Sequence, residues 1–170
     1  PDVIPGRCGA STPESRASPL DSGFTRRRVP RNDRHPENLM DARDFIQVGL
    51  NAERTLVVPA ERTVGHFVPG MPMVYATPMM ILEMEMASGD AIRGHLQPGW
   101  VTVGTEVNVR HLAAALVGAT VRATSKVIAV ERRVIRFEVA VFEGERKLGE
   151  GLHARGLINV AKFNNRLGAT

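Results

Sequence analysis

The sequence predicts an α+β fold in which a long antiparallel β-sheet curls around a single buried helix. Three observations carry this reading. From Val101 onward, apolar and polar residues alternate with a period of two over several long runs. Before them, Thr77-Pro78 opens a segment, Met79-Met80-Ile81-Leu82-Glu83-Met84-Glu85-Met86-Ala87, that is apolar over most of a helical circumference and so belongs in an interior. The order of elements, strand, loop, helix, then four strands, gives both sides of that helix a partner only if the sheet wraps it.

With 170 residues, 43% hydrophobic and 24% charged, the chain has material for one domain of ordinary size. Residues 1–39 contain six of the 11 prolines and many Ser, Arg and Asp without apolar periodicity, which predicts a disordered N-terminal extension. The composition changes at Met40, so the folded domain is expected over 40–170. Arg26-Arg27-Arg28 in the extension lacks the aromatic or amphipathic company of a binding element and reads as a solvated tail.

Within the domain, Thr55-Leu56-Val57-Val58 predicts a first strand ended by Pro59. Gly65, Pro69, Gly70 and Pro72 then mark a loop, with one short helical turn at Thr63–His66. The central helix is expected to start with Thr77 as its cap and run to about Leu96, before Pro98-Gly99. Strands follow at 101–111, 119–130, 134–143 and 147–158, with Glu131-Arg132-Arg133 as a hairpin tip, and a short helix closes the chain at Val160–Leu167. Strict alternation places Val101, Val103, Thr105, Val107, Val109 and His111 on one face, and Thr102, Gly104, Glu106, Asn108 and Arg110 on the other.

A formal charge of +4, spread through the sequence, does not form the concentrated basic surface that nucleic acid requires. No run of about 20 apolar residues is present to predict a membrane span. Cys8 is the only cysteine, which excludes an internal disulfide and a cysteine-built zinc site, and no metal centre is expected. These features are those of a cytoplasmic protein.

Four residues carry potential chemistry. His111 ends an apolar strand face, and imidazole can take or return a proton near neutrality. Glu85 lies within the buried helix, where a carboxylate can orient an imidazole, activate water or attack an acyl carbon. Thr77 can be a nucleophile or hold one. Gly104, inside a strand, marks a close approach by a ligand or by the crossing helix. Thr77 and Glu85 are eight residues apart, roughly 12 Å along a straight helix. A single site using both therefore needs a bent helix start or a second chain.

Val74-Tyr75-Ala76-Thr77-Pro78-Met79-Met80, Leu82-Glu83-Met84-Glu85, Thr102-Val103-Gly104-Thr105, Val109-Arg110-His111-Leu112-Ala113-Ala114 and Gly149-Glu150-Gly151-Leu152-His153-Ala154-Arg155 occur in this order. In these segments the stretch from Glu53 to Leu167 resembles the hot-dog-fold acyl-CoA thioesterases, closest to the fluoroacetyl-CoA thioesterase branch. The resemblance implies a catalytic set of Thr77, Glu85 and His111 at a homodimer interface, with Gly104 at the thioester, Glu83 structural, and the family's arginine of the last long strand at Arg155, which either binds substrate or anchors a carboxylate within the protein. It implies hydrolysis of a short or medium acyl-CoA to a carboxylic acid and free CoA, with no cofactor beyond the CoA of the substrate. Arg110, Arg155 and the Lys162 region are expected to help hold the CoA phosphates, and dimers could associate further. One departure bears on substrate: where that branch carries a longer lid with phenylalanine, this chain has His66-Phe67-Val68-Pro69-Gly70-Met71-Pro72-Met73, with Phe67 its only aromatic. Preference for a fluorinated acyl group is therefore not expected. The alternatives are an enoyl-thioester hydratase or dehydratase of the same fold, and a non-catalytic acyl-CoA binding module.

Overall fold

The structure, a computed structural model, describes residues 40–168; the extension predicted over 1–39 lies outside them. Strands β1 (Asn51–Val57), β2 (Trp100–His111), β3 (Thr120–Val130), β4 (Val134–Glu143) and β5 (Arg146–Asn159) form one antiparallel sheet in the order β1-β3-β4-β5-β2. A short helix α1 (Val64–Phe67) precedes the central helix α2 (Thr77–Arg93), and α3 (Val160–Leu167) follows β5. The four strands after α2 fall where the two-residue period places them. β1 starts earlier than expected, because Asn51-Ala52-Glu53-Arg54 has little strand propensity of its own and is held by pairing with β3, from Asn51 opposite Lys126 to Val57 opposite Thr120.

The core lies between α2 and the sheet. Met80, Met84, Ala87 and Ile92 of α2 meet Val121, Val127, Ile135, Phe137, Val139, Val141 and Leu148, all buried. Two buried serines are reconciled with this interior by bonding each other, Ser88 Oγ to Ser125 Oγ at 2.8 Å, while Ser88 also donates to the Met84 carbonyl. Opposite this face, α2 exposes Leu82 and Met86, and among the described residues β2 forms an edge of the sheet with no strand on its outer side.

Two expectations about local structure change. The N-cap of α2 is Ala76 rather than Thr77, and no side chain caps it. Tyr75 and Ala76 are pinned by backbone bonds to the carbonyls of Ala115 (2.8 Å) and Arg62 (3.0 Å), so the helix begins one residue early and the Thr77 hydroxyl is released from capping. At the other end the helix stops at Arg93, and Gly94 caps it; the chain to Leu96 continues only as turns.

The alternation in β2 also breaks. Gly104 pairs with Arg155, yet Glu106 pairs with Ala154, so Thr105 is an extra residue in a β-bulge. Inserting one residue into a period of two exchanges the faces beyond it. Thr102 and Gly104 therefore share the helix-facing side with Val107, Val109 and His111, correcting the strict alternation that separated Gly104 from His111.

Candidate active site

The residues of the predicted set fall into two groups on the helix-facing side of the sheet. At the first turn of α2, Thr77 Oγ1 lies 2.8 Å from His111 Nδ1 at the end of β2. The released hydroxyl and the bulge together make this contact possible. His111 Nε2 is buried and has no hydrogen-bond partner among the described residues. When Nδ1 accepts from the threonine hydroxyl, the ring proton sits on this orphaned Nε2.

Two turns further along α2, Glu85 faces Gly104. A Cβ at position 104 would stand 2.9 Å from Glu85 Oε2, so any larger residue there would push the carboxylate of the crossing helix aside. Arg155 Nη1 lies 3.6 Å from Glu85 Oε2 and donates to the Glu85 carbonyl at 3.1 Å. Its Nε donates to Thr102 Oγ1 at 2.9 Å and its Nη2 to the Thr102 carbonyl at 2.8 Å. The Arg155 side chain is only 13% exposed and Glu85 33%, so the guanidinium is an internal clamp, while the carboxylate is reachable. Burial pulls the Arg155 guanidinium below its ordinary value, an effect opposed by the Glu85 charge.

His153, to which the sequence assigns no role, belongs to this group. Its Nδ1 donates to the Glu106 carbonyl at 2.8 Å, which leaves Nε2 as the acceptor for Arg155 Nη1 at 3.4 Å. The ring stacks on Phe137 at 6.1 Å, and burial lowers its pKa, favouring the neutral form that this tautomer requires. The only available signal was its position two residues before Arg155, on the same strand face.

The remaining residues lie elsewhere. Arg110, next to His111, points to the opposite face of the sheet, where it pairs with Glu150 and is 72% exposed. That face carries a cavity of about 800 Å³, lined by Arg110, Asn108, Phe142, Lys147 and Glu150 but by none of Thr77, Glu85 and His111. Phe67 is exposed at the end of α1, where the His66 ring meets it edge-on at 5.3 Å. Glu83 is buried between Arg62 and Arg54, the latter bonding it at 3.1 Å and Asp90 at 2.7 Å, as a structural carboxylate should be.

The chain thus offers a hydroxyl–imidazole pair and, two turns away on the continuous α2, a clamped carboxylate against a strand glycine. The first can generate an oxygen nucleophile, and the second can stabilise or deliver charge beside a carbonyl. Among the described residues no cluster of His, Cys, Asp and Glu suits a metal ion.

Residues 58–161 match the family described as fluoroacetyl-CoA-specific thioesterase. The fluoroacetyl-CoA thioesterase of Streptantibioticus cattleyicolor is 34% identical over 131 residues, which are 74% of this chain and 94% of that protein. A solved structure of the fluoroacetyl-CoA thioesterase overlays with a TM-score of 0.69 at 34% identity, covering 72% of this chain and 96% of the other. A hot-dog-like protein from Thermanaerovibrio acidaminovorans, 22% identical, overlays with a TM-score of 0.70 over 76% of this chain and 96% of its own, which shows the same hot-dog architecture. By sequence and fold together, this chain belongs to the fluoroacetyl-CoA-specific thioesterase family.

Proposed function

We propose that the protein hydrolyses a short or medium acyl-CoA to a carboxylic acid and free CoA, and that it works as a homodimer. Family membership makes it an acyl-CoA thioesterase. The observation that carries the site is the 2.8 Å contact between Thr77 Oγ1 and His111 Nδ1. His111 Nδ1 removes the hydroxyl proton as Thr77 Oγ1 attacks the thioester carbonyl. The tetrahedral intermediate collapses, the C–S bond breaks, and the imidazolium returns its proton to the departing thiolate. Water, deprotonated by the same imidazole, then cleaves the threonyl ester to release the acid.

The dimer is proposed because α2 runs unbroken from Thr77 to Arg93, so one chain does not join Thr77 and His111 to Glu85. A second copy covering the free edge of β2 and the exposed Leu82 and Met86 of α2 would supply the carboxylate and would cover an edge that otherwise invites pairing. Arg155 serves by holding Glu85, whereas Arg110 and Phe67 have no contact that ties them to the reacting groups.

Thiol release measured over acetyl, branched, aromatic and longer acyl-CoA thioesters tests the activity. A covalent acyl group on the peptide containing Thr77, trapped during turnover and located by mass spectrometry, tests the nucleophile. An acyl group found on Glu85 instead, or none, rejects the threonine route.

A further inference from the structure

His153 is buried on β5 and takes no part in the proposed attack on the thioester, yet both nitrogens of its ring are engaged. A carbonyl oxygen only accepts, so the 2.8 Å contact between Nδ1 and the Glu106 carbonyl places the ring proton on Nδ1. Nε2 of the neutral ring is then purely an acceptor, and it faces Arg155 Nη1 at 3.4 Å.

The hydrogens of that guanidinium have defined destinations. Nε donates to the Thr102 hydroxyl and Nη2 to the Thr102 carbonyl. Nη1 carries two hydrogens, of which one goes to the Glu85 carbonyl at 3.1 Å and the other to His153 Nε2. Neither is left for the Glu85 carboxylate, whose Oε2 stands 3.6 Å from Nη1, beyond a hydrogen bond. The carboxylate therefore feels the charge of Arg155 without giving up an acceptor oxygen to Nη1.

We propose that His153 is a positioning residue for Glu85: by accepting one hydrogen of Arg155 Nη1, it keeps that hydrogen off the Glu85 carboxylate and leaves the carboxylate free to act. This rests on the thioesterase reading and adds to it the residue that sets the state of the acid. Without an acceptor at this place, Nη1 has to move by less than about 1 Å to bond Oε2, and a charge-assisted bond to a carboxylate is stronger than one to a neutral ring. Protonation of His153 acts in the same direction, because Nε2 of an imidazolium donates and cannot accept. Burial is the main influence on the ring and favours its neutral, accepting form. The charged groups that face it are Glu85 of α2, which favours protonation, and Arg155 of β5, which opposes it. From β2 the ring meets the Glu106 carbonyl, the Glu106 carboxylate being turned to Arg136, and from β4 it meets the Phe137 ring.

The test uses the reach of the replacement side chain in the full-length protein. The amide of Gln extends to the position of Nε2 and offers an oxygen to Arg155. The amide of Asn extends only to the position of Nδ1, so it keeps the bond to Glu106 and loses the acceptor. His153→Asn should lower kcat for the best acyl-CoA roughly tenfold with KM changed less than about twofold, whereas His153→Gln should hold kcat within about twofold of wild type at about pH 7.5. The acid side of the kcat profile should show one ionisation fewer in His153→Gln than in wild type. Wild-type kcat in the Asn variant, equal losses in both variants, or acid limbs of the same form overturn the proposal. Should the Asn variant fail to fold, as read by urea unfolding, the pH profile of the Gln variant decides alone. If the wild-type protein hydrolyses no acyl-CoA, the thioesterase reading fails, and crystal structures of the three proteins decide the positioning. Arg155 Nη1 within hydrogen-bond distance of the Glu85 carboxylate only in the Asn variant keeps the role of His153, and a guanidinium placed alike in all three removes it.

Discussion

Glu83 and Glu85 stand two residues apart on α2 and meet opposite environments. Glu83 is 4% exposed and held by Arg54 and Arg62, with Asp90 completing the network. Glu85 is one-third exposed, lies against a glycine backbone, and has Arg155 at 3.6 Å as its nearest cation. Residues two apart on a helix lie on nearly opposite sides, so one carboxylate faces Arg54 of β1 and Arg62 of the turn after it, while the other faces β2. A carboxylate fully occupied by guanidinium groups contributes order and has no capacity for a substrate. One that is clamped through its own backbone carbonyl, yet accessible, retains that capacity. Burial alone does not separate the two carboxylates; the state of their acceptor oxygens does.

The largest expected effect falls on the group that the comparison leaves outside both flanks. Replacing His111 by Ala should lower thiol release by about a hundredfold to ten-thousandfold, the range of a lost general base, with the circular dichroism spectrum and the melting temperature retained. A variant that hydrolyses the best acyl-CoA at the original rate would remove the Thr77–His111 pair from the chemistry.

The two carboxylates should then separate by readout. Glu83→Ala leaves the partly buried Arg62 without its carboxylate and Arg54 with Asp90 alone, and should cost about 3 kcal/mol in urea unfolding. Glu85→Gln should leave stability nearly unchanged and lower kcat by roughly tenfold or more. If Glu83→Ala proves the more damaging to kcat in the folded protein, the assignment of the two flanks is reversed.

Gly104→Ala sharpens the comparison on the Glu85 side. Its Cβ would displace a flexible, accessible carboxylate rather than backbone, so the stability cost should stay below about 1 kcal/mol. Activity should nevertheless fall, because the carboxylate is moved from its place. Wild-type kcat in the Gly104→Ala variant would show that the close approach of Glu85 to β2 has no catalytic meaning.

The smallest effect concerns pH. Burial holds the folded-state pKa of His153 below its ordinary value of 6.5. The neutral ring is favoured in the folded state, so its contribution is fully present above pH 6.5 and is lost as pH falls from there through the lower folded value. Urea unfolding at about pH 7.5 and at about pH 5 should therefore show a steeper loss in wild type than in His153→Gln. Equal slopes would mean that His153 titrates alike in both states.

Much of the fold was legible because it rests on periodicity. The runs over 101–111, 134–143 and 147–158 were strands by their two-residue alternation, and the apolar circumference of Met79–Ala87 required a buried helix. The beginning of β1 was not legible, since Asn51–Arg54 is a strand only through its pairing with β3. Of the site, the residue types were readable in Thr77, Glu85 and His111, and the eight-residue separation on α2 already divided them into two groups. His153 was invisible because a histidine on a strand has no role until its ring partners, Glu106, Arg155 and Phe137, are known. Arg110 looked useful by proximity in sequence to His111, which on a strand means the opposite face.

The sequence by itself determined the sheet around a helix, the glycine in β2 and the chemistry available to the site, because periodicity and side-chain type are local properties. The tertiary structure alone decided that Ala76 caps α2, that Thr77 is thereby free to meet His111, and that Thr105 is the residue extruded in the bulge. Those outcomes depend on competition between pairings across β2 and β5 and between backbone partners around Tyr75. Such a competition has no signature in any one segment, yet a single extra residue in β2 brings Gly104 and His111 to the same face.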